Sequence, residues 1–147
     1  MPTPMVNTAV AITLTLVFAA LSLWHFYMAF SVPSGESRAV PSIDGKPLFT
    51  PSKTATLIVS LVLFLFAMLV AATGKFVVLP VPQTLLTWAS YALALGLFAR
   101  AIGDFKYVGF FKSVRGTPFA RMDTRVYSPL CALLSIGVAA NAILHNP

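Results

Sequence analysis

Apolar residues in this chain run in blocks too long for the elements of a soluble domain. No Lys, Arg, Asp or Glu occurs before Glu36. Further charge-free runs separate Lys53 from Lys75, Lys75 from Arg100, and Arg125 from the terminal Pro147. A helix that crosses the hydrocarbon core of a bilayer needs about 20 apolar residues, and each run holds one. The pattern predicts four membrane helices, at residues 5–30, 54–73, 83–102 and 126–144. The expected architecture is all-α: an integral membrane four-helix bundle forming a single transmembrane domain over residues 1–147. Pro80 and Pro82 delay the start of the third helix, because proline lacks the N–H that a helix interior uses. Pro51 and Pro129 fall near the starts of the second and fourth, where a missing N–H is tolerated.

The apolar blocks do not alternate. Residues 57–72 are broken only by Ser60, whereas barrel strands alternate apolar and polar positions. The first block is not read as a signal peptide, since it lacks a basic leading region and exceeds the usual apolar stretch of about 7–15 residues. Composition agrees with the pattern. The chain is 58% hydrophobic and 10% charged, against about 25% charged in an average soluble domain, and its mean hydropathy is +0.86. These values exclude a water-soluble globule and intrinsic disorder.

Charge adds an orientation. The first connection carries Arg38, Lys46 and Lys53; the third, residues 100–125, carries Arg100, Lys106, Lys112, Arg115, Arg121 and Arg125. With four spans these connections share one side, and only Lys75 lies on the other. All four acids (Glu36, Asp44, Asp104, Asp123) fall on the basic side. The positive-inside rule then places both long connections in the cytoplasm and both termini outside.

Helices in lipid are drawn together by close packing of small residues rather than by hydrophobicity. Ala92 with Gly96, Gly137 with Asn141, and Ser135 with Ala139 are the expected contact faces. Phe49-Thr50-Pro51 and Tyr127-Ser128-Pro129 share an aromatic-hydroxyl-proline order 78 positions apart. That spacing suggests a weak internal duplication of two parallel helical hairpins.

The third connection holds the candidate chemistry. Drawn as a helix, it places Tyr107, Val108, Phe110, Phe111 and Val114 on one arc, with Lys106 and Lys112 outside it. That is an interfacial pattern, rings among headgroups and cations toward phosphates. Its plain alternative is a solvated basic loop that only sets topology. Arg100 and Asp104 are spaced to pair on one helical face, and Asp123 lies between Arg121 and Arg125. At the inner end of the first span, Trp24-His25-Phe26-Tyr27 puts an ionisable ring near the same depth. His25 is the candidate acid/base, or else bonds a nearby carbonyl. The candidate ligand- or anion-binding residues are His25, Tyr27, Arg100, Asp104, Lys106, Tyr107, Lys112, Arg121, Asp123 and Arg125.

Several chemistries lack their residues. His145 and His25 are at opposite ends of a core about 30 Å thick, so no metal site is expected. Cys131 is alone, without a Cys-x-x-Cys partner. No acid is expected inside a span, and no phosphate-binding glycine loop or nucleophile elbow occurs. No cofactor and no nucleic acid are expected. The expected partners are membrane lipids, together with a partner protein or a second copy of the chain.

The block Arg100-Ala-Ile-Gly-Asp104-Phe-Lys106-Tyr107-Val-Gly109, together with Trp24-His25-Phe26-Tyr27 and Phe49-Thr50-Pro51, resembles a family of small bacterial integral-membrane proteins classed as a domain of unknown function. The resemblance covers nearly the whole chain. It implies a four-helix protein of the bacterial inner (plasma) membrane and supplies no reaction. A more distant likeness to four-helix sterol-isomerase and sterol-binding proteins is set aside, because those place acids inside the bundle. Three functions compete. The first is a non-enzymatic membrane module that binds lipid headgroups or a partner protein at its basic cytoplasmic face. On that reading, neutralising Lys106, Lys112 and Arg115 weakens lipid association. The second is a membrane enzyme acting on a lipophilic anion, with His25 and Arg100 in one cavity. The third is a small transporter or channel.

Overall fold

Helix α1 (Pro4–Phe30) is long enough to cross a bilayer and remain helical at both interfaces. A computed structural model of the chain describes residues 4–31 and 39–145; Glu36 and Arg38 of the first connection lie outside the described residues. The rest of that connection contains a two-residue ladder, β1 (Ser42–Ile43) against β2 (Lys46–Pro47). Asp44 and Gly45 turn it with positive φ, 49° and 76°, the Asp-Gly chemistry of a tight hairpin. The hairpin leaves no sign in the apolar pattern, because four residues carry too little periodicity to show.

Helix α2 (Lys53–Thr73) begins where Ser52 accepts a hydrogen bond from the Ala55 N–H, at 3.1 Å. Helix α3 (Gln83–Ile102) follows Pro82 and has the expected bounds. The fourth span starts earlier than expected. Thr117 caps the short helix α4 (Pro118–Met122), accepting from the Ala120 N–H at 3.0 Å, with Pro118 at its first position. One π-helical turn, Asp123–Tyr127, joins α4 to α5 (Ser128–His145) without a break. The apolar helix is therefore continuous over Pro118–His145. Asp123 lies within it, which corrects the expectation that no acid enters a span. The charges at Arg121, Asp123 and Arg125 had made this stretch read as loop. The π turn also explains Pro129. Ser128 N–H bonds Asp123 O, five residues back. The wider turn makes room where a proline ring would meet a carbonyl in a regular α-helix.

Four helices are thus long and apolar enough to cross a membrane, and they pack as an all-α bundle. α1 packs chiefly on α2, and α3 on α5, with α2–α3 and α1–α5 contacts joining the pairs. Leu14, Phe18, Ala67, Val70, Leu93, Ala94, Leu134 and Val138 meet at the centre. Large side chains cover the outside: Leu16, Leu23, Leu95, Leu133 and Ile136 are 63 to 69% exposed. Such an exterior suits lipid.

Hydroxyls link the helices. Ser22 Oγ donates to Ser60 O (2.8 Å) and Ser60 Oγ to Ser22 O (2.9 Å). Ser135 donates to Ala94 O, Asn141 to Val70 O, and Thr73 bonds Ser90. Gly137 packs directly on Leu14. The expected contact face of the fourth span is therefore present around Ser135, Gly137 and Asn141. The Ala92–Gly96 face is not. Both residues are exposed and Gly96 has open space beside it, while Leu86, Ser90, Leu93 and Ala94 turn inward. Lipid and core are equally apolar, so small size alone did not distinguish them. The two aromatic-hydroxyl-proline motifs also differ in setting. Pro51 precedes its helix, whereas Pro129 lies inside one.

Candidate functional site

The chain leaves α3 at Gly103 and does not continue as a helix. It reverses and returns to Gly109, which lies against Gly103. Both glycines have positive φ, 97° and 91°. A Cβ on Gly103 would fall 1.7 Å from Val108 O, and one on Gly109 2.2 Å from Ile102 O. Only glycine lets these two segments touch. The crossing is held by Phe110 N–H to Ala101 O (2.9 Å) and Asp104 N–H to Val108 O (3.2 Å). This loop corrects the amphipathic helix expected from Tyr107 to Val114.

Asp104 sits at the tip. Its Oδ1 accepts from the N–H groups of Lys106, Tyr107 and Val108, at 2.9, 2.7 and 2.9 Å. Desolvation works to raise its pKa. The donors of Val108, Tyr107 and Lys106 outweigh it and hold the carboxyl below its ordinary 3.8, since each bond favours the charged form. The expected Arg100–Asp104 pair does not form, because Gly103 ends the helix before Asp104 can share its face.

Arg100 reaches Asp123 instead, Nη2 to Oδ1 at 2.9 Å. Asp123 is fully buried. Its Oδ2 accepts from Gly109 N–H (2.8 Å), Lys112 Nζ (2.9 Å) and Ser128 Oγ (3.1 Å). Lys112, 2% exposed, donates to three acceptors: Gly109 O (2.7 Å), Asp123 Oδ2 and Thr124 Oγ1 (2.7 Å). All three of its N–H bonds are taken. One carboxylate therefore ties the end of α3, the glycine loop and the π turn together. Neither Arg121 nor Arg125 pairs with Asp123. Its carboxylate turns inward, and both arginines remain exposed.

A recess of about 260 Å³ opens beside this anchor, lined by Phe110, Lys112, Arg115, Gly116, Ala120, Arg121, Thr124 and Arg125. The side chains of Arg121 and Arg125 have no hydrogen-bond or ion-pair partner among the described residues. Arg115 makes one long bond, Nε to Lys112 O at 3.4 Å. The lining ring of Phe110 is exposed, as are Phe105 and Phe111 of the same connection.

The other sequence candidates lie apart from the recess. His25 bonds its own helix, Nδ1 to Leu21 O at 2.8 Å. Tyr27 is exposed, with its ring 6.0 Å from that of Trp24. Neither they nor Arg100 line the recess. Lys106 lies over the Tyr107 ring, 5.1 Å from its centroid. Sequence reasoning passed over Thr124 and Ser128, which touch the charges of the anchor, and the pairing of Gly103 with Gly109. Two glycines bracketing an Asp was the available sign.

No curated protein and no solved structure matches this sequence. A family model does, over residues 3–138, a span that includes every residue of the Asp123 network. The chain therefore belongs to the family described as protein of unknown function DUF3995.

Proposed function

We propose that the chain is a non-enzymatic module of the bacterial inner membrane that binds anionic lipid headgroups at its basic end. That end faces the cytoplasm, and both termini lie outside. The observation that carries this reading is a division of labour among the cations. Arg100 and Lys112 are both turned onto Asp123, whereas Arg115, Arg121 and Arg125 surround an open recess with no ion-pair partner among the described residues. Arginines without an ion-pair partner among the described residues, on a chain end that also exposes Phe105, Phe110 and Phe111, suit the headgroup layer, where rings enter the acyl boundary and guanidinium groups meet phosphate. The skew of basic residues supports the orientation.

The residues to neutralise follow from the geometry. Lys112 is enclosed, so removing its charge reads folding rather than lipid. The informative variant is Arg115→Gln with Arg121→Gln and Arg125→Gln. In polymer-bounded particles cut from the native membrane, the unaltered chain is expected to carry more anionic lipid than the bulk membrane. The triple variant, equally monodisperse, is expected to carry the bulk proportion. Equal enrichment in both would exclude headgroup binding at this end.

A further inference from the structure

Arg121 and Arg125 are four residues apart on one continuous helix, a spacing at which like charges repel. No acid relieves them among the described residues. Arg115 closes the third side of the same recess. Thr124 lies between them in sequence and supplies a hydroxyl. Its Oγ1 accepts from Lys112 Nζ at 2.7 Å, so its own proton is directed away from that ammonium. It has no acceptor among the described residues. The wall behind it is fixed, because Lys112 is locked to Asp123 and Gly109 O. The volume, about 260 Å³, is below the roughly 300–1,000 Å³ of pockets for drug-sized molecules. It suits a headgroup of few atoms better than a sugar or a peptide.

We propose that this recess is a stoichiometric binding site for a phosphomonoester, with Arg115, Arg121 and Arg125 as its cationic walls and the Thr124 hydroxyl as a further donor. A phosphomonoester carries a charge of about −1.5 to −2 near pH 7 and three strong acceptor oxygens. Guanidinium forks match that geometry. A phosphodiester presents one charge and two free oxygens, so it leaves part of the site unused. The proposal rests on the reading that the basic end meets anionic headgroups, and it names the group recognised. The phosphoryl group belongs either to a lipid with a terminal phosphate or to a soluble phosphate.

The test is native mass spectrometry of the full chain released from detergent. It is titrated separately with dioctanoyl phosphatidate, dioctanoyl phosphatidylglycerol and inorganic phosphate. Phosphatidate is expected to saturate at one molecule per chain, roughly tenfold or more tighter than phosphatidylglycerol. Arg121→Gln with Arg125→Gln is expected to weaken it by roughly tenfold or more. Lys53→Gln with Lys106→Gln removes the same charge from the same end outside the recess, and is expected to change affinity by less than about threefold. Both arginines are exposed and unpartnered, so an unchanged melting temperature verifies folding of that variant. Competition by inorganic phosphate would assign the site to the phosphoryl group itself; binding of phosphatidate without such competition would assign it to the lipid. Equal losses in the two double variants, or equal affinity for the two lipids, would overturn the recess while leaving the lipid-binding reading intact. Binding of inorganic phosphate without either lipid would overturn the lipid-binding reading alone, and no binding of any of the three would overturn both.

Discussion

Replacing Asp123 with asparagine is expected to destabilise the bundle by about 3–5 kcal/mol, the range for stranding a charge in a buried pair. The carboxylate is fully buried and accepts four hydrogen bonds, from Arg100, Gly109, Lys112 and Ser128. Asparagine keeps the shape and removes the charge. Lys112, itself enclosed, then has no counter-ion. Its other two acceptors, Gly109 O and Thr124 Oγ1, carry only partial charge. Lys112→Met is expected to cost less, about 1–3 kcal/mol, because Asp123 keeps Arg100, the Gly109 N–H and Ser128. The two losses are expected to be strongly non-additive, since the double variant buries neither charge of the pair. Thermal unfolding in detergent micelles measures all three. Full additivity would mean that the residues do not act as one anchor.

The second large effect is expected at the glycine crossing. Gly109→Ala and Gly103→Ala are each expected to cost about 3 kcal/mol or more, combining positive-φ strain with overpacking. The atoms in the way are backbone: Val108 O at 1.7 Å for Gly103, and Ile102 O at 2.2 Å for Gly109. They cannot swing aside as the end of a side chain does. Gly96→Ala is the control. It lies mid-helix with nothing near its missing Cβ, so alanine is expected to be neutral or to stabilise by about 0.5–1 kcal/mol. A tolerated alanine at both 103 and 109, with the melting temperature unchanged, would mean that the chain does not cross there.

The spans were legible because a bilayer imposes length and apolarity together, and nothing else in the chain satisfies both. α2 and α3 were placed to within a residue. Their facing sides were not legible, since membrane core and lipid reward the same side chains. Ala92 and Gly96 illustrate this: they read as a seam and face outward. The fourth helix was read too short because its charged first turns resemble a loop, although Thr117-Pro118 is a helix-start signature. The charged residues of the site were found from their rarity, but their partners were not. Pairing by sequence distance joined Arg100 to Asp104. The actual partner, 23 positions away, is brought in by the glycine crossing, which no periodicity encodes. Lys112 was read as a surface cation for the same reason; burial of its stem and ammonium depends on Asp123 being inside the helix bundle.

The basic connection is a folded platform: Arg100 and Lys112 are turned onto Asp123, while Arg115, Arg121 and Arg125 line an open recess. Amide hydrogen exchange across residues 103–116 tests that claim most directly. The N–H groups of Lys106, Tyr107 and Val108 bond Asp104, that of Gly109 bonds Asp123, and that of Phe110 bonds Ala101 O. The segment is therefore expected to exchange orders of magnitude more slowly than an open loop, and the Asp123→Asn variant is expected to lose that protection. Exchange in the unaltered chain at the rate of an unstructured peptide would contradict the account.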